Sequence, residues 1–194
     1  MRVVAGTARG VPLTGPRGAE TRPITDRVKE TLFAIIGERV IEAAVLDLYA
    51  GSGAIGIEAL SRGAAHATFV ERGRAAVAAI HANLERTRLA ADATVVAGDV
   101  TGFLAATPVR GYSLAFLDPP YEERAILAPL QRLMAHLAPG ATVVVKHFWR
   151  TEVPTPAELV RARERRFGET TLTFLSAAAA GDDVGATPGN EEYR

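Results

Sequence analysis

Val45-Leu46-Asp47-Leu48-Tyr49-Ala50-Gly51-Ser52-Gly53-Ala54-Ile55-Gly56 decides how this chain folds. An apolar run of strand length meets a turn containing three glycines in Gly-x-Gly-x-x-Gly spacing, and a helical pattern opens immediately behind it. Such a strand–turn–helix unit aims the free N–H groups of the helix start at whatever lies above the strand end.

The same alternation continues outward from this unit. Ala67 to Glu71 reads as a second strand and Arg74 to Arg88 as an amphipathic helix with Val77, Ile80 and Leu84 inward. Ala93 to Val96 is a third strand followed by a short helix, and Tyr112 to Asp118 is a fourth. A helix over 123–137 and a fifth strand from Ala141 to Lys146 follow. Strands that are apolar throughout and joined by helices predict a doubly wound, parallel α/β sheet covered on both faces. Leu159–Arg166 and Thr170–Ser176 leave no room for a helix between them, so they predict an antiparallel hairpin on the sheet edge, giving seven strands. Upstream, Val3-Val4-Ala5 and Val11-Pro12-Leu13 predict a small β-hairpin arm over 1–22. Thr25 caps a helix from Asp26 to about Glu38, with Val28, Leu32, Ile35 and Ile36 on one face. The expected organisation is arm 1–22, catalytic domain 23–176 and a disordered tail 177–194 rich in Ala, Gly and Asp.

Composition narrows the function. The 194 residues carry 22 basic and 22 acidic side chains, no cysteine, and no apolar run long enough for a membrane helix. The missing cysteine excludes disulfides, thiolate metal sites and covalent thiol catalysis, including the route to carbon-5 methylation of cytosine. No secretory leader is legible, so the cytoplasm is the expected location. Residues 1–40 carry a surplus of three positive charges and residues 177–194 a deficit of three, and 20 of the 22 basic residues are arginine. Arginine's planar fork suits phosphates and base edges. His66, His81, His136 and His147 show no ligand spacing, so no metal is expected and each reads as a surface side chain. Phe148 and Trp149, just past the fifth strand, read as core or rim aromatics.

The glycine turn implies an adenosine-containing cofactor, because Glu71 closes the second strand 20 residues after Gly51, where a carboxylate can accept both ribose hydroxyls. NAD and S-adenosylmethionine both satisfy that much. Asp47, Glu71 and Asp99 place a carboxylate after each of the first three strands, which fits a cationic sulfonium better than a dianionic pyrophosphate. Asp47 would take the amino group of the ligand and Asp99 the adenine amine, with helix or loop capping as their structural alternative.

Strand four ends in Asp118-Pro119-Pro120-Tyr121. In an open α/β sheet this strand lies beside strand one at the switch point, next to the cofactor. The exocyclic amine of a base is a poor nucleophile, since its lone pair is delocalised into the ring. Asp118 can accept one amine hydrogen and the Pro119 carbonyl another, which localises the lone pair and aims it at a methyl carbon. Proline stiffens the direction of that carbonyl, and Tyr121 offers a ring for an extruded base. The expected chemistry is direct in-line transfer after base flipping, without a metal.

Asp118-Pro119-Pro120-Tyr121 resembles the Asp/Asn-Pro-Pro-Tyr/Phe motif of amino-directed methyltransferases. Thr21-Arg22-Pro23-Ile24-Thr25-Asp26-Arg27-Val28-Lys29-Glu30-Thr31-Leu32-Phe33, ahead of Asp47-Leu48-Tyr49-Ala50-Gly51-Ser52-Gly53, resembles the bacterial RsmD family, and the likeness runs from Gly6-x-x-Arg9-Gly10 to about Ser176. The resemblance implies a Rossmann-like class I methyltransferase that uses S-adenosyl-L-methionine to methylate guanine N2 of small-subunit 16S ribosomal RNA. It implies a cofactor set of Asp47, Ala50, Gly51, Ser52, Gly53, Glu71, Arg72, Asp99, Val100 and Asp118, and a catalytic set of Asp118, Pro119, Pro120 and Tyr121. Arg22, Thr25, Arg27 and Lys29, at a capped helix start, are expected to hold the RNA backbone. Arg161, Arg163, Arg165 and Arg166 either extend that surface or blunt an edge strand. A monomer acting on a small-subunit assembly particle is expected. In one place the chain departs from the family: Lys146-His147 stands where an acidic residue often ends strand five. The competing readings are a DNA adenine-N6 methyltransferase, a dinucleotide-dependent dehydrogenase, and a non-catalytic RNA-binding or ribosome-assembly module that retains the cofactor.

Overall fold

The structure, a computed structural model, describes residues 1–16, 24–106, 111–119 and 124–177. Seven strands form one sheet: β1 (Ala44–Leu48), β2 (His66–Glu71), β3 (Ala93–Ala97), β4 (Tyr112–Leu117), β5 (Leu137–Phe148), β6 (Leu159–Phe167) and β7 (Thr170–Ala177). Their spatial order is β3-β2-β1-β4-β5-β7-β6. β1 to β5 pair in parallel, and β7 pairs antiparallel with both β5 and β6. The doubly wound sheet and the terminal hairpin are thus present as the periodicity predicts.

β1, β2 and β4 are buried on both sides because successive side chains enter different cores, while the edge strand β3 is only partly covered. Val45, Phe69, Phe116 and Val144 join α1 (Asp26–Ile36), α2 (Ala54–Ser61) and α3 (Arg74–Thr87). Leu46, Val70, Leu117 and Val145 join α4 (Val100–Ala105) and α5 (Arg124–Leu133). Strand order reverses at β1, which has β2 on one side and β4 on the other. The C-terminal ends of β1 and β4 therefore share one rim.

Several boundaries differ from expectation for local reasons. α1 ends at Ile36 because Gly37 turns the chain with φ 59°, and a 3-10 turn follows. Its buried face holds Lys29 and Phe33, while Ile35 is only partly covered. In α3, Ala76, Ala79, Ile80, Asn83 and Leu84 are buried and Val77 is half-buried. α5 contains Pro129 and gives way to a 3-10 turn at Met134–His136 rather than running to 137. β5 starts early, at Leu137, with a register shift opposite Tyr112/Leu114 that accommodates Pro139 and Gly140.

The expected hairpin arm over 1–22 is described only to residue 16. Its two stretches meet through one antiparallel bridge between Arg2 and Pro12 and through backbone bonds from the Val3 N–H to the Val11 carbonyl and from the Leu13 N–H to the Met1 carbonyl, but they form no regular strand and lie on the domain. Val3, Ala8 and Leu13 belong to the main core. The reason lies in α2 and α3. The Glu58 carboxylate accepts from the N–H groups of Val4 and Ala5 at 2.8 and 3.0 Å, and Asn83 binds Thr14. The expected disorder of the tail concerns residues outside those described, apart from Ala177, which is buried at the end of β7.

Candidate functional site

The turn after β1 is held in conformations that few residues adopt. Tyr49, Gly51 and Gly53 have φ of 59°, 57° and 74°. Two of these are glycines, which reach this region without penalty, and Tyr49 occupies it as a non-glycine residue. Gly53 caps α2, directing the first N–H groups of that helix toward the rim. Gly56 has another role. A Cβ there would stand 2.3 Å from Cε1 of Phe69, so this glycine lets α2 lie against β2 rather than approach a ligand.

A cleft of about 1110 Å³ opens above the ends of β1 to β5, and Asp47, Glu71, Asp99, Asp118, Pro119 and Lys146 all line it. Ala50, Gly51, Ser52, Arg72 and Val100 line it too; Gly53 is buried just beneath. Asp47 is 2 % exposed, and its Oδ2 accepts from the Gly56 N–H at 3.0 Å. Burial, against that hydrogen bond and assisted by repulsion from Asp118 and Glu71, pushes its carboxyl up to about 8. Glu71 accepts from the N–H of Gly51 at 2.9 Å through Oε2 and from the N–H of Gly73 at 2.7 Å through Oε1. Its carboxylate is fixed across the turn by two backbone donors. Asp99 caps α4, Oδ2 accepting from the Gly102 N–H at 3.1 Å, so its helix-capping role coexists with a place in the cleft wall.

Asp118 follows β4, and its N–H donates to the Leu48 carbonyl of β1 at 3.3 Å. That bond fastens the start of the Asp-Pro-Pro-Tyr segment to the strand that launches the glycine turn. Pro119 lines the cleft beside it; Pro120 and Tyr121 lie outside the described residues. Burial raises the Asp118 carboxyl above its usual range, opposed by the charge and hydrogen bonds of Lys146. The Lys146 Nζ donates to Oδ1 and Oδ2 of Asp118 at 2.7 and 2.6 Å. Lys146, singled out in the sequence, therefore stands inside the site itself. The signal for it was the strand register: Leu117 pairs with Val145, so the next residues, Asp118 and Lys146, emerge side by side.

Lys29 requires a correction. It is fully buried, and its ammonium donates to Glu58 Oε2 at 3.1 Å and to the Arg2 carbonyl. Glu58 is equally buried and also accepts from Arg62 Nε at 2.8 Å. Lys29 thus pins the N-terminal segment to α2 and does not face RNA. Thr25 caps α1 by accepting from the Val28 N–H, and Thr25 and Arg27 are both exposed, while the neighbouring Ile24 lines the cleft. Arg22 lies outside the described residues. Two of the expected surface histidines are also buried. His136 stacks on Phe103, and His147 turns away from the cleft to share a 2.8 Å hydrogen bond with Thr173. Among the described residues no group of acidic and imidazole side chains is placed to hold a metal ion. Trp149, 36 % exposed, is a rim aromatic flanked by the guanidinium groups of Arg150 and Arg166.

Asn83 escaped sequence reading. Fully buried, it accepts from the Thr14 N–H through Oδ1, and its Nδ2 donates to the carbonyls of Thr14 and Ser52 at 2.9 Å each. It ties the N-terminal segment, α3 and the glycine turn together.

The sheet order, the glycine turn and Asp118 and Pro119 just past the end of the adjacent strand are those of the class I S-adenosylmethionine-dependent methyltransferase fold. A family model described as "Conserved hypothetical protein 95" matches residues 1–176. Among curated proteins, YlbH of Bacillus subtilis is 39 % identical over 175 residues, covering 88 % of this chain and 95 % of its own length. Ribosomal RNA small subunit methyltransferase D of Escherichia coli K12 is 37 % identical over 188 residues, covering 94 % and 92 %. The solved structure of YhhF from Escherichia coli superposes with a TM-score of 0.83 at 36 % identity, covering 92 % of this chain and 98 % of that one. The chain belongs to this family, the RsmD family of the sequence resemblance.

Proposed function

We propose that the protein transfers a methyl group from S-adenosyl-L-methionine to the N2 amine of a guanine in 16S ribosomal RNA. The observation that supports this reading is the bond between the Asp118 N–H and the Leu48 carbonyl, with Asp118 and the glycine turn lining one cleft. The Escherichia coli relative, a ribosomal RNA small subunit methyltransferase, supports the substrate class.

The cleft fits the cofactor. Five acidic side chains of the described residues line it, among them Asp47, Glu71 and Asp99 at the ends of the first three strands, which suits a cationic ligand. Asp47 would take the amino group, Glu71 the ribose hydroxyls and Asp99 the adenine amine, within walls supplied by Ala50, Gly51, Ser52, Arg72 and Val100, over the turn that Gly53 completes. When bound, S-adenosyl-L-methionine supplies an electrophilic methyl group on a positively charged sulfur. Asp118 accepts a hydrogen bond from the target amine and the Pro119 carbonyl a second, which localises the nitrogen lone pair for attack; the sulfur would leave as a neutral thioether, and the methylated nitrogen would shed one proton to the Asp118 carboxylate or to solvent. The side chain of Asp118 is only one-third exposed, so a base reaches it by leaving its stack. Pro120 stiffens the segment, and Tyr121 stacks on the flipped base. Thr25 and Arg27 at the start of α1 hold the RNA backbone, together with Arg22, three residues earlier in the sequence. The protein works as a monomer on an assembling small subunit in the bacterial cytoplasm. No helix of the described residues is long and apolar enough to cross a membrane.

The test is incubation with labelled S-adenosyl-L-methionine and naked 16S rRNA, assembled small subunits or duplex DNA. Label is expected in RNA, and nucleosides from a deletion strain should lack one N2-methylguanosine. Label confined to DNA, or cofactor binding without transfer to any substrate, overturns the reading. Asp118→Ala should abolish transfer and spare cofactor affinity.

A further inference from the structure

We infer that Lys146 is a positioning residue of the transfer site: from β5 it grips both carboxylate oxygens of Asp118 and holds the amine acceptor charged and in one orientation. The inference rests on the methyl-transfer reading above and adds to it a residue that the motif does not contain.

The sheet dictates the contact. β4 and β5 run parallel with Leu117 opposite Val145, so Asp118 and Lys146 leave neighbouring strands at the same level. Val145 is buried in one core and His147 is turned toward Thr173 of β7, which leaves Lys146 on the face that opens into the cleft. The Lys146 side chain is 12 % exposed, so its ammonium is delivered by a largely buried stem rather than waving in solvent. A contact to each oxygen, at 2.7 and 2.6 Å, defines the plane of the carboxylate.

The charge balance shows why a cation is needed here. Asp47, Glu71, Asp99 and Glu169 line the same cleft as Asp118, and among the described residues Lys146 and Arg72 are the basic side chains lining it. Burial favours a protonated Asp118, and a protonated carboxyl would offer a donor to an amine that itself donates. An ammonium in contact with both oxygens works against that preference and favours the charged carboxylate. An ionised carboxylate has about four lone-pair positions, so two remain to accept an amine hydrogen after Lys146 has taken its share.

The experiment compares Lys146→Met and Lys146→Arg with the parent in single-turnover methylation of small-subunit RNA across pH, at saturating S-adenosyl-L-methionine. In parallel, the Asp118 carboxyl carbon is titrated by NMR in protein labelled with [13C]aspartate and assigned through Asp118→Asn. Lys146→Met should move the acid limb of the rate profile upward by about one pH unit or more, giving about a tenfold loss at pH 6 that closes by pH 9. The carbon titration should move in the same direction, and Lys146→Arg should restore both. A loss that is equal at every pH with an unmoved carbon titration would overturn the inference, as would a Lys146→Met enzyme faster than the parent throughout. The carbon titration needs neither cofactor nor RNA. A shifted titration in a protein that methylates no RNA would therefore sink the substrate reading while leaving the Lys146–Asp118 relationship standing.

Discussion

The N–H of Gly56 in α2 donates to Oδ2 of Asp47 in β1 across 3.0 Å, which makes a buried carboxyl part of the first turn of the helix behind it. That carboxyl titrates near 8, far above its unfolded value. A group whose folded pKa is raised stabilises the fold fully below the unfolded value, near pH 4, and loses that contribution as pH rises through the folded one. Asp47→Asn keeps an oxygen for the Gly56 N–H and removes the titration. Its unfolding free energy in chemical denaturation should match the parent's near pH 4 and exceed it at pH 8, the gap widening by up to about 1.4 kcal/mol for each pH unit between the two values. A difference independent of pH would contradict the assignment. The same carboxyl should release up to about one proton when S-adenosyl-L-methionine binds at pH 7, because a cation beside it favours the charged form. Calorimetry in buffers of different ionisation enthalpy reads that proton.

Gly56→Ala sets two effects against each other. Alanine is favoured over glycine inside a helix by up to about 1 kcal/mol. Here the added carbon meets the buried Phe69 ring at 2.3 and 2.7 Å, and β2 cannot retreat because it is paired on both sides. Overpacking wins, with an expected net loss of about 1–3 kcal/mol in chemical denaturation.

Lys29 and Arg27, two residues apart on α1, should separate by assay. Lys29→Met leaves Glu58 buried with one cation fewer and should cost about 3 kcal/mol in stability without altering the salt dependence of RNA binding. Arg27→Ala and Arg22→Ala should each weaken RNA binding and reduce its salt slope by about 1, leaving cofactor affinity and stability intact. Equal salt slopes in the parent and both arginine variants would remove the proposed grip.

Asn83→Ala strips the Thr14 N–H and the Thr14 and Ser52 carbonyls of a buried partner. A stability loss of about 1–3 kcal/mol is expected, concentrated locally. Hydrogen exchange at Thr14 should accelerate more than in β1 or β4, and cofactor affinity should fall because the glycine turn loses its brace. Uniform exchange across the sheet would argue for a global effect instead.

The sheet was legible because its strands are apolar on both faces and their helices are short and periodic, and this pattern survives without any knowledge of contacts. The glycine turn, Glu71 and the Asp-Pro-Pro segment were legible because each ends a strand, where topology alone assigns position. Lys29 misled because charge beside a helix start reads as surface. Its burial depends on Glu58, which is a one-residue event on α2 with no period to reveal it. Asn83 was hidden for the same reason, as a polar residue within an otherwise amphipathic helix. Gly56 was readable as part of a motif but not as a packing glycine, since its contact is with Phe69 on another element. Lys146 stood out as an oddity, and only the β4–β5 register turned it into a partner of Asp118.

The Asp118–Leu48 bond gives the two reactive loops a common foundation, since both spring from adjacent strands laced together in parallel register. Changes of sequence farther out along either loop would then reshape the cleft mouth and leave this spacing untouched. The span between methyl donor and recipient stays gauged by the sheet, as the jaws of a vice stay aligned whatever is fed between them.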